Sequence, residues 1–173
     1  MERVWVFGRL AISVARIDFL DPAVADTADP RERGVRIEVR PATSGAEGSI
    51  YASPTTILEP AVCRIDFLES APGAADRMHW HPEMHGGEPG SRTFDVDMPA
   101  DPVGWLSAFL LDLGGFLARA GVPDVGTMSH DLEEIRATAP EIGADVEAGM
   151  VWARRTPWPE VERDERGMPA LAT

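Results

Sequence analysis

Over the first hundred residues, hydrophobic and polar positions alternate in short runs. VWVF, ISVARIDFL, RGVRIEVR, GSIYAS, AVCRIDFLES and RTFDVDM are rich in β-branched and aromatic residues. Turn formers separate them: Asp29-Pro30, Ser44-Gly45, Ser53-Pro54, Pro72-Gly73 and Gly86-Gly87. Val35, Ile37 and Val39 alternate with Arg36, Glu38 and Arg40, which predicts a half-buried strand with one wet face. Short strands with no helices between them predict antiparallel pairing, as a barrel or a sandwich.

After Met98 the period changes. Asp101 is placed to cap a helix and Pro102 to open it. Leu106, Phe109, Leu110, Leu113, Phe116 and Leu117 then recur at helical spacing, predicting a helix to about Ala120 that stops at Gly121-Val122-Pro123. A second helix is expected from Ser129 to Thr138, with an acidic first turn and an end before Pro140. A third, weaker one spans Glu141 to Arg155. Together these predict an α+β protein: a mainly antiparallel β-barrel or sandwich over residues 1–100, a helical extension of two or three helices over 101–156 packed on it, and a tail or surface arm over 157–173.

One stretch is echoed. Val14-Ala-Arg-Ile-Asp-Phe-Leu returns as Val62-Cys-Arg-Ile-Asp-Phe-Leu. Either a duplicated strand brings Arg16/Arg64 or Asp18/Asp66 to one cavity, or two unrelated strands meet the same packing demand. Within either copy Arg and Asp lie opposite the Ile and Phe.

Composition narrows the chemistry. The chain has 173 residues and a formal charge of −13, with no Lys, Asn or Gln. A Schiff-base lysine, a P-loop lysine and a Cys-His-Asn triad are thereby excluded. Cys63 is the only cysteine, so no intrachain disulfide or all-thiolate metal site exists. The strong negative charge and scattered arginines argue against a nucleic-acid partner. The most apolar stretch, Val103 to Val122, is interrupted by Asp112, Gly114-Gly115 and Arg119, too broken for a membrane span. No secretory leader is recognisable, and a cytoplasmic location is expected.

Three of the four histidines fall in His79-Trp80-His81-Pro82-Glu83-Met84-His85. On a strand, positions i and i+2 share a side, so His79 and His81 present two imidazoles to one cavity. His85, before Gly86-Gly87, sits on a turn able to fold back as a third ligand. Imidazole binds most divalent transition metals, and Glu83, Asp76, Glu69 or Asp95 can complete or orient the shell. Trp80 points to the opposite face and is expected to pack under the helices. Asp95 and Asp97 share a strand face, and His130 is expected on the surface near a helix start. Cys63 is expected as a buried small hydrophobe.

Ala71 to His85, APGAADRMHWHPEMH, resembles the first motif of the cupin superfamily: a Gly, five residues, His-x-His, then a Glu three or four residues on. Gly73, His79 and His81 have that spacing. His85 stands where Glu is expected, and the second cupin motif has no clear match downstream. The resemblance implies a small barrel with a metal held inside by His79, His81 and His85.

The function expected from these residues is a metal-dependent enzyme, of oxygenase or isomerase/lyase type, acting on a small molecule. The metal is Fe, Zn, Mn or Ni, and the candidate catalytic residues are Glu83, Tyr51 and Arg64. Tyr51, the sole phenol, has a hydrogen bond to offer a bound oxyanion. Arg16, Arg64 and Arg77 are candidate anchors for a carboxylate substrate. Two alternatives stand beside it: a non-enzymatic ligand- or metal-binding protein of the same fold, and an acidic interaction protein. By analogy with β-barrels of this size, edge-strand pairing implies a homodimer.

Overall fold

Alternating runs become strands in the computed structural model, which describes residues 2–21, 30–45, 55–163 and 165–166. They are β1 (Glu2–Phe7), β2 (Leu10–Leu20), β3 (Arg31–Gly45), β4 (Thr55–Leu58), β5 (Cys63–Glu69), β6 (His79–His81), β7 (Met84–His85) and β8 (Glu88–Pro89). A six-stranded antiparallel sheet runs β1-β2-β3-β5-β6, with β4 paired to the far end of β3. No pairing among the described residues joins β1 to β6, so this is an open sheet rather than a demonstrated barrel. GSIYAS lies outside the described residues.

RTFDVDM is not a strand. Only Thr93 pairs, with Trp80. Beyond it the Asp95 carboxylate accepts from the Asp97 amide at 3.0 Å and from Trp105 Nε1 at 2.9 Å, which bends the chain into turns. These bonds hold the Asp95 carboxyl below its usual range. Asp95 is therefore committed to structure.

Three helices follow: α1 (Pro102–Leu111), α2 (Leu113–Arg119) and α3 (Ser129–Ala153). Asp101 caps α1 as the sequence predicts, its side chain accepting from the Gly104 amide. The expected first helix breaks at Asp112. The expected second and third are one helix, because Pro140 does not end it. A helix-interior proline costs about 3 kcal/mol. Ending α3 there would forgo the burial of Ile142, Val146 and Met150, each about 1.5–3 kcal/mol, so packing outweighs the local rule. α3 lies close on the sheet at Gly149, where an added Cβ would come within 2.5 Å of Val35.

Register assigns the faces. Leu10, Ile12, Val14, Val35, Ile37, Val39, Cys63, Ile65 and Phe67 share the side covered by the helices and pack with Leu106, Leu113, Leu117, Ile135 and Ile142. Trp80 joins this side, its ring 5.7–5.8 Å from those of Trp105, Phe109 and Phe116. Cys63 is fully buried there, and burial pushes its thiol pKa up, as suits a small hydrophobe. The segment expected as a tail begins by docking: Trp158 donates to the Ala153 carbonyl, and its ring and that of Trp152 lie against Arg33. No helix among the described residues is long and apolar enough to cross a membrane.

Candidate metal centre

The other face of the sheet is polar, yet it is not the wet face the alternation predicts. Ser13, Glu32, Glu38, Asp66, His79 and His81 are all buried. Cross-strand pairing lines them up in two rows. Ala15, Arg36, Asp66 and His79 form one, and Ser13, Glu38, Arg64 and His81 form the next. Such neighbours on one face are within side-chain reach.

Within these rows Asp66, His79 and His81 converge. They are 2%, 3% and 5% exposed, and their ligand atoms all lie within 4.8 Å of one another. Asp66 Oδ2 is 3.7 Å from His79 Nε2 and 3.8 Å from His81 Nε2. Those gaps are too long for hydrogen bonds. They are slightly wider than the ~3.4 Å between donors that share a tetrahedral ion with bonds of about 2.1 Å.

The far nitrogens settle what the near ones offer. His79 Nδ1 donates to the Arg77 carbonyl at 2.9 Å, and His81 Nδ1 donates to the Gly90 carbonyl at 2.9 Å. A carbonyl only accepts, so in each neutral ring the proton sits on Nδ1 and Nε2 carries a lone pair. Burial depresses the His79 pKa, outweighing the Arg77 carbonyl and the Asp66 carboxylate, so its neutral form is favoured. With both rings neutral, two Nε2 lone pairs and a carboxylate oxygen lie within 4.8 Å of one another in a buried site. A cation between them resolves that repulsion, and Nδ1–H···O=C bonding is how metal-ligating histidines are oriented. Arg36 braces the carboxylate from behind, its Nε donating to Asp66 Oδ1 at 2.7 Å.

Around the triad lies a pocket of about 320 Å³ lined by Phe19, Glu32, Arg36, Arg64, Asp66, Leu68, His79, His81, Pro89, Gly90 and Arg92. Arg64 is therefore brought to the site, donating Nε to Glu38 Oε1 at 2.8 Å, with its Nη2 in an ion pair with the same oxygen at 2.8 Å. Arg40 donates to the other Glu38 oxygen. Burial pushes the Glu38 pKa up, but these two arginines outweigh it and hold it below the usual value.

Several expected residues are elsewhere. Gly86 and Gly87, both at positive φ, form the two-residue turn from β7 to β8. That hairpin leaves His85 exposed, in a separate pocket with Glu83, Met84 and Arg119. Neither His85 nor Glu83 joins the triad. Glu69 is buried on the helix-covered side, held by Arg154 at 2.6 Å and by the Gly73 amide. Asp76 accepts from the Ser70 amide and hydroxyl within its own loop. Arg16 lies over the Trp152 ring, and Arg77 pairs with Glu32 at 3.3 Å. His130 is exposed beside Glu134, as expected. Tyr51 lies outside the described residues.

The carboxylate in the triad, Asp66, is not among those nominated to complete the metal shell, and the echo offered it only as a pair with Asp18. Its signal was the echoed Arg-Ile-Asp. The two copies face opposite ways: Arg64 and Asp66 line the polar pocket, whereas Arg16 and Asp18 lie on the helix-covered side, where Asp18 pairs with Arg31. The echo is therefore two strands with separate demands, not a paired supply of charges.

Comparison with known proteins finds no matching family model, no matching curated protein and no matching solved structure.

Proposed function

We propose that this protein is a metal-dependent enzyme acting on a small organic molecule, with one divalent transition metal held by Asp66, His79 and His81. The observation that carries the reading is the convergence of two Nε2 lone pairs on a buried carboxylate oxygen, each imidazole being fixed through its Nδ1–H. Two histidines and one carboxylate suit Fe(II), Zn, Mn or Ni, and with open positions they are the ligand set of non-haem iron oxygenases. Three protein ligands leave coordination positions for substrate, where a structural site fills all four. The neighbouring pocket supports substrate access. Asp66, His79 and His81 would hold the ion, which when bound would supply Lewis-acid chemistry toward a substrate oxygen or water, or, as Fe(II), oxygen chemistry. The chain's own residues orient the ligands: the Arg77 and Gly90 carbonyls fix the imidazoles and Arg36 fixes the carboxylate. The His-x-His resemblance to cupins agrees with metal binding on a β-sheet.

Elemental analysis of untagged protein, reconstituted with each metal in turn, tests this. The expected result is one equivalent per chain, lost in Asp66→Ala and in His79→Ala/His81→Ala and kept in His85→Ala. Wild-type protein that retains no metal overturns the proposal.

A further inference from the structure

We infer that the pocket beside this centre takes a small organic carboxylate, anchored by the terminal nitrogens of Arg36. The inference rests on the metal reading above and adds the class of ligand. The pocket volume, about 320 Å³, is at the small end for ligand sites. At water's share of about 30 Å³ per molecule it holds about ten non-hydrogen atoms.

Its charge contrasts with that of the whole chain. Three guanidiniums, of Arg36, Arg64 and Arg92, line it against two carboxylates, of Glu32 and Asp66, in a protein of net charge −13. A divalent ion on the triad makes it more positive still. Most of these groups are already engaged. Arg64 donates Nε to Glu38 and pairs with it through Nη2, Glu32 faces Arg77, and Arg92 is half exposed, 4.0 Å from Asp21.

Arg36 differs. Its Nε is spent on Asp66 Oδ1, while no hydrogen bond from its two terminal nitrogens is made among the described residues, and the residue lines the pocket. A guanidinium offers five donors in a fixed fork that matches a carboxylate bidentately. The fork is held by its bond to Asp66, so an anion on it would lie next to the triad. Phe19, Leu68 and Pro89 supply an apolar wall for an organic body, and Glu32 on the same wall repels a dianion more than a monoanion. Both features favour a monocarboxylate over inorganic phosphate.

The test uses the full chain loaded with Co(II), read by its visible absorption, and three probes: benzoate, benzamide and inorganic phosphate. Benzoate is expected to perturb the Co(II) spectrum and to bind about ten- to a hundredfold more tightly than benzamide, the range for hydrogen bonds to a charged group. It is also expected to bind more tightly than phosphate. Arg36→Met should weaken benzoate by a similar factor and leave benzamide unchanged. If that variant holds no Co(II), Arg36→Lys, which keeps a positive charge beside Asp66 but loses the fork, is read instead. Equal binding of benzoate and benzamide, tighter binding of phosphate, or unchanged benzoate affinity in the variant overturns the inference. Co(II) binding without any benzoate effect overturns it alone, whereas failure of the wild type to bind Co(II) overturns the metal reading as well.

Discussion

One sheet carries two faces of opposite character. On the helix-covered face Val35, Ile37, Val39, Cys63, Ile65 and Phe67 are fully buried. Their neighbours in sequence, Arg36, Glu38, Arg64 and Asp66, lie on the other face among ion pairs and imidazoles. Strand alternation alone performs the separation, because successive side chains leave opposite sides. The first face contributes stability through removal of apolar area from water. The second holds buried polar groups that cost free energy unless paired. On that second face the buried Asp66, His79 and His81 form a group that could hold a metal ion.

That contrast breaks most visibly on the apolar side. Phe67→Ala is expected to cost about 3–5 kcal/mol in urea unfolding, the range for deleting a buried phenyl ring. The variant that remains folded should keep its metal stoichiometry. A loss of metal with little loss of stability would mean the two faces are not separable. The polar face gives the next largest effect, and only with metal present. At a free concentration of one hundred times Kd, metal should raise wild-type stability by about 2.7 kcal/mol. His79→Ala/His81→Ala should show no rise in the same denaturation experiment. An equal rise in both would place the metal elsewhere.

Gly149→Ala sharpens the comparison from the helix side. Its new Cβ meets Val35 at 2.5 Å, so overpacking of about 1–3 kcal/mol is expected, read as a lower urea midpoint. A neutral effect would show that α3 shifts easily over the sheet. The smallest effect concerns Glu38, whose folded pKa lies below the usual glutamate value because Arg64 and Arg40 outweigh its burial. A depressed carboxyl stabilises above its unfolded pKa, and that stability is lost as pH falls through the folded pKa. In that window the unfolded chain binds more protons. Stability measured from pH 5 downward should therefore fall more steeply in the wild type than in Glu38→Gln. Parallel curves would show that the arginine contacts do not hold Glu38.

Local patterns made part of this architecture legible. The alternation of Val35, Ile37 and Val39 with charged residues identified a strand and its buried side. Asp101-Pro102 marked a helix start, and the single-residue spacing of His79 and His81 put two imidazoles on one side, with Trp80 opposite. What stayed hidden depends on register and tertiary packing. Asp66 meets the histidines only because β5 and β6 pair Asp66 with His79, and no local period encodes that pairing. The same ignorance of register left His85 and Glu83 as candidates, although the Gly86-Gly87 turn carries them to another pocket. Pro140 misled because the cost of one proline is local, whereas the gain from burying the next turns of α3 is not. The face beside Asp66 was expected wet because alternation reports polarity, and a buried charge network has the same sequence signature as a solvated one.

The most direct measurement of the central claim is nitrogen-15 NMR of the histidine rings before and after one equivalent of Zn is added. The account predicts that His79 and His81 each carry a proton on Nδ1, bonded to a backbone carbonyl, and that Zn shifts their Nε2 signals while those of His85 and His130 stay in place. Rings protonated at Nε2, or Zn shifts confined to His85 and His130, would contradict it.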